Sequence, residues 1–280
     1  MEPLFKSWSF LHILTIVFPL LLSILVIFLT RKVTKKQSYT IGYILSIVGI
    51  STLLARNIEI FIVSGYQWPN WDLIPLQLCH VANFVLLAAY ISKKEILFGI
   101  AYTIFMPGAL MALVFSMIPN LPELFNLWYS ARTIAYIFGH AILVMLPIYS
   151  LYHKHLTITI KKILQITLLV AGIYIVELVI SNLLNISFMG MTVDDSIKAN
   201  YFHTIHTNNT FPLTLFYQMG IDLNLNHVYG GWFKVNYIYI LMCFLLGVVV
   251  IFAFSGIYYL GSFINKKIYQ IKELKDIPKE

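Results

Sequence analysis

Six side chains stand in stretches too apolar to shelter them: Arg56, Glu59, Cys79, His80, His140 and Glu177. Ionisable groups in such runs are costly and mark functional positions by default. A thiol becomes a nucleophile only as thiolate, which needs a base or a cation nearby. His80 follows Cys79 directly, but adjacent helical residues point about 100° apart, so it is badly placed to activate that thiol. His140 lies on another segment and follows Gly139, which permits close approach, so Cys79 and His140 form the candidate catalytic pair. Inert packing of Cys79 and an interhelical hydrogen bond from His140 are the structural alternatives. Arg56 and Glu59, three apart, share a helix face and can pair. That pair either fixes packing or presents Arg56 to an anion, since guanidinium holds phosphate bidentately.

The elements that must carry these residues follow from composition. The 280-residue chain is 59% hydrophobic and 11% charged, against roughly 45–50% and about 25% in soluble domains. That excludes a soluble enzyme, a disordered chain and a disulfide-rich secreted module, and two cysteines make no disulfide framework. The fold expected is all-α, a polytopic membrane bundle of seven transmembrane helices: Phe10–Leu29, Ile41–Val63, Leu73–Ile91, Ile96–Ile118, Ala131–Leu151, Ile163–Leu184 and Val235–Phe263. Each is long enough for a bilayer core, and none alternates as a barrel strand does. Pro75 is expected in the first turn of the third span, where its missing N–H is tolerated.

Most of the 19 Lys and Arg fall in alternate connectors: 29–40, 92–95, 152–162 and the tail 265–280. The positive-inside rule then sets the N-terminus outside and the C-terminus in the cytoplasm. Trp8, Trp68, Trp71, Trp128 and Trp232 fall at outer span ends, as an aromatic belt requires. The first span lacks a basic n-region and a cleavage site and reads as a retained anchor. On this map the polar residues gather in the outer halves of their spans, as one pocket opening outward would require. Asp72 and Arg132 stand at its rim.

Residues 1–264 are read as one transmembrane bundle, with an outer cap or re-entrant loop at 185–234 and a basic cytoplasmic tail at 265–280. In the cap, His203-x-x-His206 with Asp194 and Asp195 lacks diagnostic metal-ligand spacing, so neither a metal nor a cofactor is expected. His153-x-His155 reads as a basic turn facing anionic headgroups. Pro107-Gly108 reads as a kink or small-residue packing point. Phosphate loops, HExxH and GxSxG are absent.

Trp71-Asp72-Leu73-Ile74-Pro75-Leu76-Gln77-Leu78-Cys79, the Pro-Gly-Ala-Leu at 107–110 and the single span-five histidine, His140, resemble the YwaF-type family of bacterial integral membrane proteins. That family is distantly similar to animal membrane proteins implicated in acyl transfer to ether lysophospholipids. The resemblance covers about 41–184. It implies a cysteine early in one span and a histidine two spans later as the catalytic pair, which falls here on Cys79 and His140.

The function expected is an outward-facing acyltransferase of the cell membrane, multi-pass. Cys79 takes an acyl chain from a membrane phospholipid as a thioester, His140 serves as base, and a lysolipid or a lipoprotein amine accepts. Arg56, Glu59, His80, Glu177 and Asn182 are the substrate-binding candidates. No nucleic-acid partner is expected. A small-solute transporter or channel is one alternative, requiring polar residues in both halves of the bundle. A non-catalytic receptor or assembly factor is another, in which Cys79 and His140 tolerate replacement.

Overall fold

The computed structural model describes residues 8–63, 73–115, 130–187, 212–230 and 233–275. The described chain is mostly helical. Its elements are α1 (Phe10–Thr30), α2 (Lys35–Val63), α3 (Leu78–Ser92), α4 (Glu95–Val114), α5 (Ala131–Tyr152), α6 (Ile160–Ser187), α7 (Leu213–Asp222), β1 (Asn226–Tyr229), β2 (Phe233–Asn236) and α8 (Tyr237–Lys275). Six of them, α1, α2, α4, α5, α6 and α8, are long and apolar enough to cross a membrane. The helices follow the expected runs because each run is continuously apolar and ends at a cluster of Lys, Gly or Pro. The third expected span differs. α3 has 15 residues, about 22 Å at 1.5 Å per residue, against a core of about 30 Å. Pro75 lies in the turn ahead of the helix, not in its first turn. A residue before proline is driven out of the α region, which keeps Ile74 out of the helix, and the helix itself begins only after Gln77, whose backbone is extended.

α5 is the central rod. Every residue from His140 to Pro147 is buried, as are Tyr149 and Ser150. α1, α2, α3 and the second half of α4 pack around it. The main apolar core is built from α3, α4 and α5, with Leu86, Phe98, Ala101, Leu143, Val144 and Tyr149 fully enclosed. α1 turns Leu14, Leu21, Ile24, Leu25 and Phe28 outward, the apolar exterior that lipid requires. π-turns interrupt α4 at Ala101–Phe105 and α5 at Ala135–Gly139. The first directly precedes Met106-Pro107. Proline's ring clashes with the carbonyl four residues back, and the widened turn accommodates it at the expected irregularity.

One end of the bundle gathers the Lys-rich connectors between α1 and α2, α3 and α4, and α5 and α6. There the chain corrects one expectation. His155 does not face headgroups: it is 1% exposed. Its ring stacks on Tyr39 at 3.9 Å and lies among Tyr90, Phe98 and Tyr149. Its Nε2 is 2.7 Å from Ser38 Oγ. Ser38 spends its own proton on the Lys35 carbonyl, so His155 Nε2–H is the donor. Tyr90 and Ser150 close the network with a 2.8 Å bond. Lys162 pairs with Glu95, joining α4 to α6.

The opposite end carries α7 and the antiparallel β1–β2 hairpin, in register Asn226↔Asn236 to Tyr229↔Phe233. This is the described part of the expected cap. α8 continues as helix through 275, so the described part of the expected tail, 265–275, prolongs the last helix. The Asp194–Asp195 and His203–His206 cluster, Asp72, and the tryptophans at 68, 71, 128 and 232 lie outside the described residues.

Candidate functional site

Cys79 and His80 are the second and third residues of α3, directly behind its N-cap Gln77. The His80 and Val81 N–H groups both return to the Gln77 carbonyl, at 2.8 and 3.0 Å. The positive end of the helix therefore lies at Cys79. Cys79 is half-buried and in no disulfide.

His140 opens the last α-helical stretch of α5, directly after its π-turn. Such turns recur at functional positions. Its Nδ1 lies 2.6 Å from the Tyr136 carbonyl oxygen. A carbonyl only accepts, so Nδ1 carries the proton and the neutral ring keeps its lone pair on Nε2. The Tyr136 ring stands 4.7 Å from that of His140. Tyr136 is also within electrostatic reach of the Cys79 thiol, and its hydroxyl donates to Ala112 O at 2.5 Å. Arg56 and His140 are both within electrostatic reach of His80, and Arg56 of His140. Cys79, His80, Arg56, Tyr136 and His140 thus share one region between α2, α3 and α5. His80 is 5% exposed, and its Nδ1 has no hydrogen-bond partner.

α2 holds both arms of this region. Asn57 Nδ2 donates to Leu73 O at 3.1 Å, fastening the turn that leads into α3. Glu59 Oε2 accepts from the Arg132 N–H at 2.7 Å, in the first turn of α5. A carboxylate there is stabilised by the helix dipole, while Ser130 caps the Thr133 N–H of the same turn. Glu59 therefore orients the helix that carries His140. Arg56, expected to pair with Glu59 along the helix face, donates through Nη1 to Asn57 Oδ1 at 2.9 Å. Nearer the middle, a Cβ on Gly49 would stand 2.5 Å from Asn83 Oδ1. The glycine lets α2 and α3 close on each other there. Asn83 donates back to the Cys79 carbonyl at 2.9 Å.

Glu177 and Asn182 belong to a different neighbourhood, on the face of α6 that meets α8 and the hairpin. Asn182 is a structural clamp. Its Oδ1 accepts from Lys234 N at 2.8 Å and its Nδ2 donates to Lys234 O at 3.3 Å, as a neighbouring strand would. Glu177 is buried, and its Oε2 has no hydrogen-bond partner. One turn away, Tyr174 lies beside Cys243 and Tyr239 of α8.

Sequence reasoning missed four contributors. Tyr136 and Asn83 are polar residues one turn from His140 and Cys79, and that spacing was the available signal. Asn57 acts through a backbone carbonyl, which leaves no mark in sequence. His12 was passed over in the first span. It is 1% exposed, accepts from the Trp8 N–H at 2.9 Å and bonds Leu113 O at 2.8 Å. It ties α1 to the end of α4. Among the described residues no group of His, Cys, Asp and Glu is arranged to hold a metal ion.

The profile of the TMEM164 family, a family of membrane proteins, matches residues 4–259. The chain belongs to that family. No curated protein and no solved structure matches it.

Proposed function

We propose that this member of the TMEM164 family is a membrane acyltransferase that works through a cysteine thioester. The Cys79 thiol gives its proton to His140 Nε2 and attacks the ester carbonyl of a phospholipid. The ester C–O bond breaks, and the departing lysolipid oxygen takes the proton from His140. An acceptor hydroxyl or amine then attacks the thioester, with His140 again as base, and the thiol is regenerated. The observation that carries this reading is the His140 tautomer. The Tyr136 carbonyl holds Nδ1–H, which leaves Nε2 as the basic nitrogen. The position of Cys79 in the first turn of α3 supports it, and so does the resemblance to the YwaF-type family at 71–79. Arg56 is assigned the donor phosphate, and Glu59 the orientation of α5.

In this reading α3 with its lead-in turn completes a seven-segment bundle of the cell membrane. The N-terminus lies outside, the Lys-rich end in the cytoplasm, and the hairpin caps the pocket. Acyl chains enter sideways between helices without leaving hydrocarbon. The test uses purified protein in vesicles, with a phospholipid carrying a labelled acyl chain and a lysophospholipid acceptor. Cys79→Ala should abolish transfer and leave the melting temperature unchanged. Transfer that survives in that variant removes the nucleophile and the mechanism with it.

A transporter for a small polar solute is the second reading, favoured by one observation. Glu177 is buried without a partner for Oε2, on a helix apart from Cys79 and His140. Solute uptake into vesicles that Glu177→Gln abolishes and Cys79→Ala spares would select it.

A further inference from the structure

His80 has no part in the mechanism above, yet it is one of the most unusually placed side chains in the bundle. Its ring is 95% enclosed, and its Nδ1 is buried with no hydrogen-bond partner. Such an atom costs about 1–3 kcal/mol while it goes unpaired, a cost that a bound group can remove. It stands one residue from Cys79, in the first turn of the 15-residue α3. Helical side chains lean toward the N-terminus of their helix, so the imidazole leans toward that first turn. Gln77 supplies no side-chain cap to the turn. Arg56 adds its charge to the same spot. Helix terminus, guanidinium and imidazole all favour negative charge arriving beside the Cys79 sulfur.

From this arrangement we infer that His80 is the oxyanion donor of the acyl-transfer site. It works with the first turn of α3 to bind the negatively charged oxygen that forms when Cys79 attacks an ester carbonyl. The inference rests on the reading of Cys79 as nucleophile. The sulfur forms a bond to the carbonyl carbon, and the carbonyl π pair moves onto oxygen. The His80 Nδ1–H donates to that oxygen and keeps its proton. When the tetrahedral intermediate collapses, the pair returns to carbon and expels the lysolipid oxygen, which is protonated by His140. His80 therefore acts on the oxygen, and His140 on the proton.

An oxyanion donor is felt only by reactions that form an oxyanion, which makes the role separable from thiol activation and from folding. Cys79 in the purified full-length protein is challenged with two probes, each read by mass spectrometry of its peptide. One is the p-nitrophenyl ester of a long-chain fatty acid, whose attack passes through an oxyanion. The other is iodoacetamide, whose displacement does not. Removing one such donor costs about 10²–10³ in rate. His80→Ala should slow acylation by about that factor and leave alkylation within about twofold. His80→Asn, whose amide N–H stands where Nδ1–H stood, should recover most of the acylation. If His80→Ala slows both probes equally, or slows neither, the assignment is overturned. If wild-type Cys79 accepts no acyl group and Cys79→Ala still transfers, the nucleophile reading has failed first and takes this one with it.

Discussion

His155 offers a test of the packing that needs no substrate. Its imidazole is sealed at the Lys-rich end, outside the spanning helices, with Nε2–H given to Ser38 and Nδ1 left without a partner. A second proton would have to sit on Nδ1, in an aromatic box and near other cations. Burial first, then the charges of His153 and Lys35, lower its pKa from 6.5 to about 4. The unfolded chain takes up this proton near pH 6.5 and the folded chain resists it to about 4. The stabilisation is therefore complete above pH 6.5, declines between 6.5 and 4, and is gone below. At pH 5 the linkage relation gives a loss of about 2 kcal/mol, and solvent screening at the loop brings the working figure to ~1 kcal/mol. For a chain of this size that is a fall of roughly 2–4 °C in melting temperature. His155→Phe keeps a ring on Tyr39 and cannot titrate. Melting curves at pH 7.5 and pH 5.0 should show a fall in the wild type that exceeds the variant's by about 2 °C. His153, also lowered by burial, supplies a smaller slope common to both proteins. Equal falls in the two proteins would refute the claim that this imidazole is held neutral by its surroundings.

Gly220→Ala should destabilise the hairpin end, because its Cβ would stand 1.9 Å from Asn236 Oδ1. That atom caps the Tyr239 N–H of α8, so overpacking and the lost cap together should cost about 2–4 kcal/mol in chemical denaturation; an unchanged midpoint would contradict the packing. Asn182→Leu should cost about 1–3 kcal/mol through the stranded Lys234 backbone, and hydrogen exchange at Lys234 should rise; retained protection would show that the clamp is dispensable. Glu59→Ala should slow acyl transfer by releasing the first turn of α5, while Glu59→Gln, which keeps the accepting oxygen, should lose only about 0.3–1 kcal/mol of dipole stabilisation. Equal loss of transfer in both variants would mean that the charge, not the bond to Arg132, is what matters. Glu177→Leu should melt no lower than the wild type, since it removes a buried oxygen with no partner; a clear drop would mean that this carboxylate is satisfied in the resting protein.

What could be read in advance divides along a physical line. A span is a local property: twenty apolar residues in a row announce one wherever they occur, and α1, α2, α4, α5, α6 and α8 lie where those runs lie. Which face of a helix meets a neighbour is not local. In lipid both faces are apolar, so the amphipathic stripe that reveals a soluble helix is missing. That is why His155 reads from sequence as a surface turn and is enclosed instead, and why Glu59, paired on paper with Arg56, is found on the backbone of α5. α3 is shorter than expected for another reason. Its apolar run is long enough on paper, but the helix begins only behind the extended N-cap Gln77, five residues into that run. Cys79, Arg56, His80 and His140 were legible because each is a polar atom in hydrocarbon, a signal that needs no knowledge of neighbours. Asn182 and Glu177 were legible for the same reason, though contact with the first four could not be read from that signal.

The two ends of the bundle are built on opposite terms. At the Lys-rich end nearly every buried polar atom is committed: Ser38 to Lys35 and His155, Tyr90 to Ser150, Ser150 to Leu146, Tyr149 to Ser38. His155 Nδ1 is left without a partner there, which keeps that ring neutral. Toward the hairpin end, His80 Nδ1, Asn83 Oδ1 and Glu177 Oε2 are buried with no partner. Each such group costs about 1–3 kcal/mol, and a bundle that needed only to be stable would replace them with leucine. On the proposed function, their retention beside Cys79 and along α6 is the cost of a site whose partners arrive with the substrate. Binding should then return part of that cost as stability. A phospholipid bound at Arg56 and His80 should raise the melting temperature of Cys79→Ala, which cannot turn it over, more than it raises that of His80→Leu, which has no unpaired nitrogen left to satisfy.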